Sequence, residues 1–180
     1  MITPKGKLMY VHINGREEEY PKGNKTGRYT ATLELTEENY NLVKDELNKI
    51  WEASDEYKDV AEVVEVMNPN LGVKKKKDKK TGEIHYLLKA KLTRFKVDKT
   101  TGEQTERFVT IKDGANVRLA DDTKIFNGSE GRLMVYPRPY NLGANYGVSL
   151  YLQEIQLTKA ATGNTEEFPI DDEDIEEAPF

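Results

Sequence analysis

Short segments in which apolar and polar residues alternate run through most of this 180-residue chain, and they constrain its fold more than any other feature. The clearest spans Arg28 to Leu35 (RYTATLEL), where every second residue is apolar. An extended strand places successive side chains on opposite faces, so this pattern predicts a strand with one buried face. Further strands are predicted at Leu8 to Ile13 (Met9, Val11 and Ile13 sharing one face), Ile84 to Val97, Thr105 to Lys112, Asn116 to Leu119, Arg132 to Tyr140 and Gly147 to Leu157.

A helical pattern interrupts these strands. Thr36 fits an N-cap, and Glu37 and Glu38 suit the positive end of a helix dipole in the first turn. The segment from Asp55 to Met67 fits a helix slightly better than a strand. The expected architecture is therefore mainly β, a small closed or partly open barrel with an inserted helical region. Apolar residues at helical spacing follow the predicted cap: Tyr40, Val43, Leu47, Ile50 and Trp51.

Several classes of protein are disfavoured by what the sequence lacks. Zero cysteines exclude disulfides, thiolate zinc sites and cysteine catalysis, and suit a reducing cytoplasm. No apolar run approaches the roughly 20 residues of a membrane-spanning helix. Asp121 and Asp122 fall in a predicted turn, and no nucleotide-binding or hydrolase motif accompanies the two histidines, His12 and His85. We therefore expect no enzyme, no metal and no cofactor.

Charge is distributed unevenly along the chain. The formal net charge is −5, yet the last fifteen residues hold eight acidic residues and no basic one, so the remainder is +3. A second acidic block runs from Glu37 to Glu65, with ten acidic and three basic residues. What is left carries 14 acidic and 24 basic residues. Such asymmetry points to a basic body with an acidic helical patch and an acidic tail, and it bears on the choice of partner.

Cations and aromatics are interleaved on the expected outer faces of two strands. Between Ile84 and Val97, one face is apolar and the other contains His85, Lys89, Lys91 and Phe95, with Arg94 and Lys96 nearby. Lysine and arginine can follow phosphates while rings stack on unpaired bases, so the pattern is typical of a single-strand binder, although solvated sheet faces also carry such residues. The second strand presents Arg132, Met134, Tyr136, Arg138 and Tyr140 opposite Leu133 and Val135.

A run of six lysines in seven residues, Lys74 to Lys80, is expected to be a solvated loop. As a mobile arm it could close on nucleic acid and add salt-dependent affinity. This run ends in a turn that contains Thr-Gly-Glu, and a second such triplet lies in the turn that joins the next two predicted strands; we interpret the recurrence as hairpin turn chemistry.

The acidic tail ends in Ala178-Pro179-Phe180. A terminal aromatic residue with a free carboxylate, preceded by acids, resembles a peptide ligand whose ring enters an apolar pocket while basic residues bind its charges. The same acids can also occupy a cationic groove of the body. The residues expected to bind a partner are Asp171, Asp172, Glu173, Asp174, Ile175, Pro179 and Phe180.

The chain resembles the acidic-tailed single-stranded DNA-binding proteins of tailed phages. The resemblance is carried by YTATLELTEENY (Tyr29 to Tyr40), IFNGSEGRLMVYPRPY (Ile125 to Tyr140), GVSLYLQEIQL (Gly147 to Leu157) and the tail, and covers about two thirds of the chain. It implies an OB-fold, a five-stranded Greek-key barrel, at 1–160, and a disordered acidic tail at 161–180. It also implies sequence-independent binding in phage DNA replication or recombination, recruitment of polymerase, helicase or nuclease through the tail, and the host cytoplasm as location.

Two alternatives remain open at this point: an RNA-binding OB-fold factor, and an acidic interaction or inhibitory protein that mimics nucleic acid. Self-association is compatible with all three interpretations. The residues expected to contact DNA are Lys74, Lys75, Lys76, Lys77, Lys89, Lys91, Arg94, Phe95, Arg107, Arg132, Tyr136, Arg138 and Tyr140.

Overall fold

The computed structural model describes residues 1–61 and 68–162. Within these ranges nine strands and two helices follow one another along the chain. Their bounds are β1 (Gly6–His12), β2 (Arg28–Leu35), α1 (Glu37–Glu52), α2 (Asp55–Ala61), β3 (Val73–Lys77), β4 (Ile84–Thr93), β5 (Phe95–Val97), β6 (Gln104–Glu106), β7 (Thr110–Asp113), β8 (Ser129–Asn141) and β9 (Tyr146–Lys159).

Five strands close into a barrel. Hydrogen-bonded neighbours follow the order β4, β2, β1, β8, β9, and β9 then pairs in parallel with β4 through Tyr151 and Lys91. The four other contacts around the ring are antiparallel. This is the strand order of an OB-fold, so the predicted fold class is confirmed. Two strands extend the sheet beyond the barrel: β3 lies along β4, and β7 pairs in parallel with β9.

The barrel interior is filled by the apolar side chains of the alternating strands. Fully burying one aliphatic side chain of this size contributes about 1.5–3 kcal/mol relative to leaving it exposed. The interior set therefore supplies most of the driving force for closing the sheet. Its fully buried members include Leu8, Leu33, Leu88, Leu133, Leu152 and Ile155, at least one from each of the five strands.

Helix α1 covers one side of the barrel, as its periodicity predicts. Thr36 is the N-cap, and its side chain accepts a hydrogen bond from the backbone N–H of Asn39 at 3.3 Å. Trp51 is buried and stacks on Tyr146 of β9, with ring centroids 5.7 Å apart and planes 14° apart. The tryptophan is therefore a packing residue. In the ambiguous segment that follows, Asp55–Ala61 is helical, and the rest, up to Met67, lies outside the described residues.

Two hairpins use the same turn. In the β3–β4 hairpin the Asp78 side chain accepts hydrogen bonds from the backbone N–H groups of Lys80 and Thr81, at 2.7 and 2.9 Å. In the β5–β6 hairpin Asp98 accepts the equivalent bonds from Thr100 and Thr101, at 2.7 and 3.0 Å. These contacts confirm that the repeated Thr-Gly-Glu triplets are turn chemistry.

Three strand predictions need correction. The expected strand from Ile84 to Val97 ends at Thr93, because the chain leaves the barrel there and β5 pairs with β6 in a separate two-stranded sheet. The expected strand from Thr105 to Lys112 is likewise divided between β6 and β7. The segment from Asn116 to Leu119 is not a regular strand: it follows the turn at 114–115, bends at Asn116 with a φ of 65°, and contacts β7 through an isolated bridge from Arg118 to Lys112.

The face assignment in β1 is also corrected. A register shift separates Met9 from His12, and Tyr10 adopts a φ of 49°, so the simple alternation does not hold across the strand. As a result Leu8 and Ile13 are buried while Met9 is only half-buried. A bulge of this kind changes which residues face inward, and the residue composition of the strand does not reveal it.

The last strand ends at Lys159. The predicted tail at 161–180 falls, from residue 163 onward, outside the described residues, and so do all the residues expected to bind a partner. Among the helices that the structure describes, none is long and apolar enough to cross a membrane.

Candidate nucleic-acid interface

The seam where β4 meets β9 brings a cation and two aromatic rings into one row. Lys91 of β4 pairs with Tyr151 of β9, and Tyr151 lies directly opposite Tyr136 of β8. All three side chains point away from the barrel interior, because each is flanked by at least one buried residue: Ala90, Val135, Leu150 or Leu152. Directly opposed residues in antiparallel strands have Cβ atoms about 4.5–5.5 Å apart, so Tyr136 and Tyr151 are neighbours, and Lys91 extends the row across the parallel contact.

A second row runs beside the first. Lys89 lies two residues before Lys91, Ser149 lies two residues before Tyr151, and Arg138 pairs with Ser149. Tyr140 continues the outer face of β8 and donates a hydrogen bond from its hydroxyl to Asn145 at 2.9 Å. We call this outer face the seam surface; it consists of Lys89, Lys91, Tyr136, Arg138, Tyr140, Ser149 and Tyr151.

A shallow depression lies within the seam surface, lined by Lys89, Lys91, Tyr140 and Ser149 and by the segment at Asn70 and Gly72. That segment wedges between the two strands. Asn70 bridges to Gly147, and the Lys89 N–H donates to the Gly72 carbonyl at 3.0 Å.

Glycine is required at residue 147 for this wedge. Its φ is 147°, and a Cβ there would collide with the backbone of Asn70. The segment at Asn70 and Gly72 therefore packs against both strands through a close approach of two backbones that requires glycine at residue 147.

Lysines gather at the β4 side of the seam. Burial, followed by the charges of Arg28 and Lys89, lowers the pKa of Lys91. Burial, followed by the charges of Lys76 and Lys89, lowers the pKa of Lys74. Both shifts mean that positive charges are crowded in a partly desolvated place, where a bound anion would relieve the repulsion.

The lysine run is partly strand, which corrects the expected loop. Lys74 to Lys77 form most of β3 and pair with β4, because the Asp78 turn folds the run back onto it. Alternation then divides the lysines between two faces. Lys74 and Lys76 share the outer side with Lys89, whereas Lys75 faces helix α1, where its Nζ lies 5.1 Å from the Tyr86 ring centroid.

Arg94 forms an internal ion-pair network. Its guanidinium donates to Glu17 at 2.7 Å and to Glu106 at 2.8 Å, and Glu106 also accepts from the Tyr29 hydroxyl at 2.9 Å. The Glu17 carboxylate is mostly buried, with 8% of its side chain exposed. Arg94 would have to give up these carboxylates before binding a phosphate, so its geometry favours a structural role over the DNA contact expected from the sequence.

The other expected contacts lie at the margins of the seam surface or beyond it. Phe95 is on the β5–β6 hairpin, 37% exposed, with the Arg94 guanidinium 4.9 Å from its ring centroid. Arg107 follows that hairpin, and its N–H donates to the Arg94 carbonyl at 2.8 Å. Arg132 lies towards the start of β8 and donates to Gln156 at 3.2 Å.

Two members of the seam surface were missed in the sequence, Tyr151 and Ser149. Their signal was present, since both alternate with buried Val148, Leu150 and Leu152 in the last strand. In the described ranges 1–61 and 68–162, no group of three or more histidine or acidic side chains is placed to hold a metal ion.

Proteins of known structure share this fold. The single-stranded DNA-binding protein gp2.5 encoded by bacteriophage T7 matches with a TM-score of 0.67 at 21% identity, over 93% of this chain and 95% of its own. The single-stranded DNA-binding protein from bacteriophage Enc34, in complex with single-stranded DNA, matches with a TM-score of 0.58 at 12% identity, over 91% and 88%. No protein-family model and no curated protein sequence matches the chain. At these identities the likeness establishes the fold.

The Arg94 network predicts a pH-dependent stability. Hydrogen bonds from Arg94, and then from Tyr29, hold the pKa of Glu106 below its usual range. A carboxyl whose pKa is lower in the folded chain stabilises the fold above its unfolded pKa, and this contribution disappears as pH falls through the folded pKa. We expect wild type to exceed Glu106→Gln in free energy of unfolding at neutral pH, and the difference to shrink below about pH 4.3.

Urea denaturation at neutral and acidic pH measures this difference. Glu103→Gln is the matched control, since its exposed side chain lies in the turn of the same hairpin. A difference for Glu106→Gln that stays constant into acid, or an equal one for Glu103→Gln, would contradict the assignment.

Proposed function

We propose that this protein binds single-stranded DNA without regard to sequence, through the seam surface. The observation that carries the proposal is the row of Lys91, Tyr151 and Tyr136 across three adjacent strands. A single strand exposes phosphates on one side and unstacked bases on the other, so a binding surface needs cations beside rings on one face. The shared fold with single-stranded DNA-binding proteins of two phages supports the same function.

Binding occurs in two parts of the surface with different chemistry. Lys89, Lys91 and Arg138 neutralise phosphates, which gives affinity that falls with salt because condensed counterions are released. Tyr136 and Tyr151 stack on bases, which every base permits through its π face, so little sequence is read. Tyr136 is 58% exposed, an accessibility that suits a stacking platform better than a core residue.

The acidic side of the molecule argues against a nucleic-acid mimic. Acidic residues of helix α1, among them Glu38, Asp45 and Glu46, are exposed on the helix, whereas the seam surface is cationic. A mimic would present acids on its binding face as well. The charge separation therefore favours a protein that binds nucleic acid over one that imitates it.

The seam rings give the first functional test. Tyr136→Ala and Tyr151→Ala should each weaken binding of a fluorescein-labelled oligothymidylate by about 1–3 kcal/mol, because each removes a stacking platform. Phe126→Ala is the matched control, since that exposed ring lies before the opposite end of β8. Fluorescence anisotropy gives the affinities, and thermal melting confirms that Tyr136→Ala remains folded.

Duplex and RNA competitors complete the test. The wild type should prefer the oligothymidylate to a duplex of equal length at low salt, since paired bases hide their faces. Equal affinity for the duplex, or equal losses for Phe126→Ala and Tyr136→Ala, would contradict the proposal. A preference for oligouridylate over oligothymidylate would support the RNA-binding alternative instead.

We extend the proposal to the biological setting and to the tail. The body at 1–160 is the DNA-binding domain, and 161–180 is a tail whose acids and terminal Phe180 recruit replication proteins of the polymerase, helicase or nuclease class. The setting is phage DNA replication or recombination in the host cytoplasm. Support comes from the composition, because eight acids follow a body of charge +3 and end in an aromatic anchor.

Truncation separates the two roles of the tail. Deleting 166–180 should raise the affinity for single-stranded DNA, most at low salt, because a tethered acidic segment competes for cations at an effective concentration on the order of millimolar. Deleting Phe180 alone should leave that affinity unchanged and weaken capture of a replication partner in a pull-down. A loss of DNA affinity on truncation, or full partner capture without Phe180, would contradict the proposed roles.

A further inference from the structure

Two lysines of β4, Lys89 and Lys91, interact with one acidic side chain, Glu18, of the connection between β1 and β2. The Nζ of Lys89 lies 2.6 Å from Oε1 of Glu18, and both side chains are largely shielded, with 26% and 21% exposed. Lys91 and Lys74 lie close enough to Lys89 for their charges to interact with it. The negative charge of Glu18 raises the pKa of Lys91, whereas the positive charge of Lys89 lowers it. Its carboxylate is therefore a counterion for the β4 side of the seam surface.

The backbone around Glu18 is fixed, so only its side chain is free to move. The Glu18 N–H donates to the Arg28 carbonyl at 2.9 Å, and the Thr26 N–H and hydroxyl donate to the Glu18 carbonyl at 2.9 and 3.0 Å. The preceding residue, Glu17, is held by Arg94 at 2.7 Å and by the Gly27 N–H at 2.8 Å. A change at the Glu18 carboxylate thus needs a new rotamer and no rearrangement of the connection.

We propose that Lys89, Lys91 and Lys74 form a phosphate site for the single-stranded DNA backbone, and that Glu18 occupies this site in the free protein until a phosphate displaces it. The inference rests on the proposed function and adds a residue that sets its strength. A carboxylate and a phosphodiester carry the same charge and accept the same lysine hydrogen bonds, so one can replace the other. The site adjoins the depression beside Tyr140, which places a phosphate next to a ring.

Glu18 lowers the affinity for DNA in this scheme for two reasons. Each binding event must break the Lys89 pair, and the displaced carboxylate remains near the incoming phosphates. Glu18 also neutralises Lys89 before DNA binds. Replacing Glu18 by a DNA phosphate therefore releases fewer counterions than binding of that phosphate to an unpaired lysine would. The protein therefore holds its DNA less tightly than its lysine content implies, which suits a binder that must be removed from the strand.

Glu18→Gln tests the inference, because it removes the charge and keeps the shape. We expect it to bind a labelled oligothymidylate about fivefold more tightly than wild type at low salt, the scale of a partly shielded ion pair. The slope of log affinity against log salt should steepen by about 0.7, the value for one more phosphate contact on a single strand. The matched control is Glu19→Gln, which removes the same charge from the next residue, whose side chain accepts from the Gly23 N–H at 3.2 Å.

A Lys89→Gln background isolates the pair. If Glu18 acts by occupying Lys89, the gain from Glu18→Gln should fall in this background to the gain from Glu19→Gln. Thermal melting adds a readout in the opposite direction, since Glu18→Gln should lower stability at low salt while raising affinity. A residue with a merely structural role would lose stability and gain no affinity.

The outcomes separate this inference from the proposed function. Wild type that fails to bind the oligothymidylate at low salt would overturn both. Wild type that binds, with Glu18→Gln no tighter than Glu19→Gln, would overturn the Glu18 inference alone. Competition by inorganic phosphate, at equal ionic strength with chloride, identifies the source of the anion. If inorganic phosphate displaces DNA from Glu18→Gln but not from Lys89→Gln, the result would support a site that binds phosphate in general. If it displaces DNA from neither variant, the result would support a phosphate site that requires the DNA strand.

Discussion

The parallel contact between Lys91 and Tyr151 closes the barrel and brings the outer face of β4 beside the outer faces of β9 and β8. At the seam the lysines of β4 lie beside Tyr151 of β9, and the DNA-binding surface that we propose requires both strands. The close approach of Asn70 to Gly147 maintains it, because it fills the place where β4 and β9 diverge. The buried apolar interior stabilises the ring from inside and leaves its outer face available for polar and aromatic groups.

Electrostatic balance is the second constraint on this surface. The crowded lysines repel one another. The connection between β1 and β2 supplies carboxylates that pair with nearby cations, Glu18 with Lys89 and Glu17 with Arg94. The two ion pairs differ in how firmly each carboxylate is held. Glu17 is buried and tied to a network that includes Glu106, so it fixes the connection in place. Glu18 pairs with Lys89 of the seam surface, and we propose that a phosphate can replace its carboxylate there.

Local periodicity predicted the parts of the fold that depend on nearest neighbours. The outer face of β8 and helix α1 with its Thr36 cap follow directly from residue order. The alternation of β2 predicted the strand but not its burial: one buried face was expected, and Thr30 and Thr32 on the other face are buried as well. Features that depend on distant partners were not predictable in this way. The ion pair between Arg94 and Glu17 joins residues 77 positions apart, so Arg94 resembled a free cation in the sequence. The lysine run became a strand because β4 was available to pair with it.

The most direct test of the account is a map of where single-stranded DNA touches the protein. Backbone amide chemical shifts, recorded by NMR while oligothymidylate is added, report contacts residue by residue without altering the chain. If the seam surface binds DNA, the largest changes should fall at 89–91 of β4, 136–140 of β8 and 149–151 of β9, with small changes in helix α1. Changes concentrated on α1 or around Phe126, with these three strands unaffected, would contradict it.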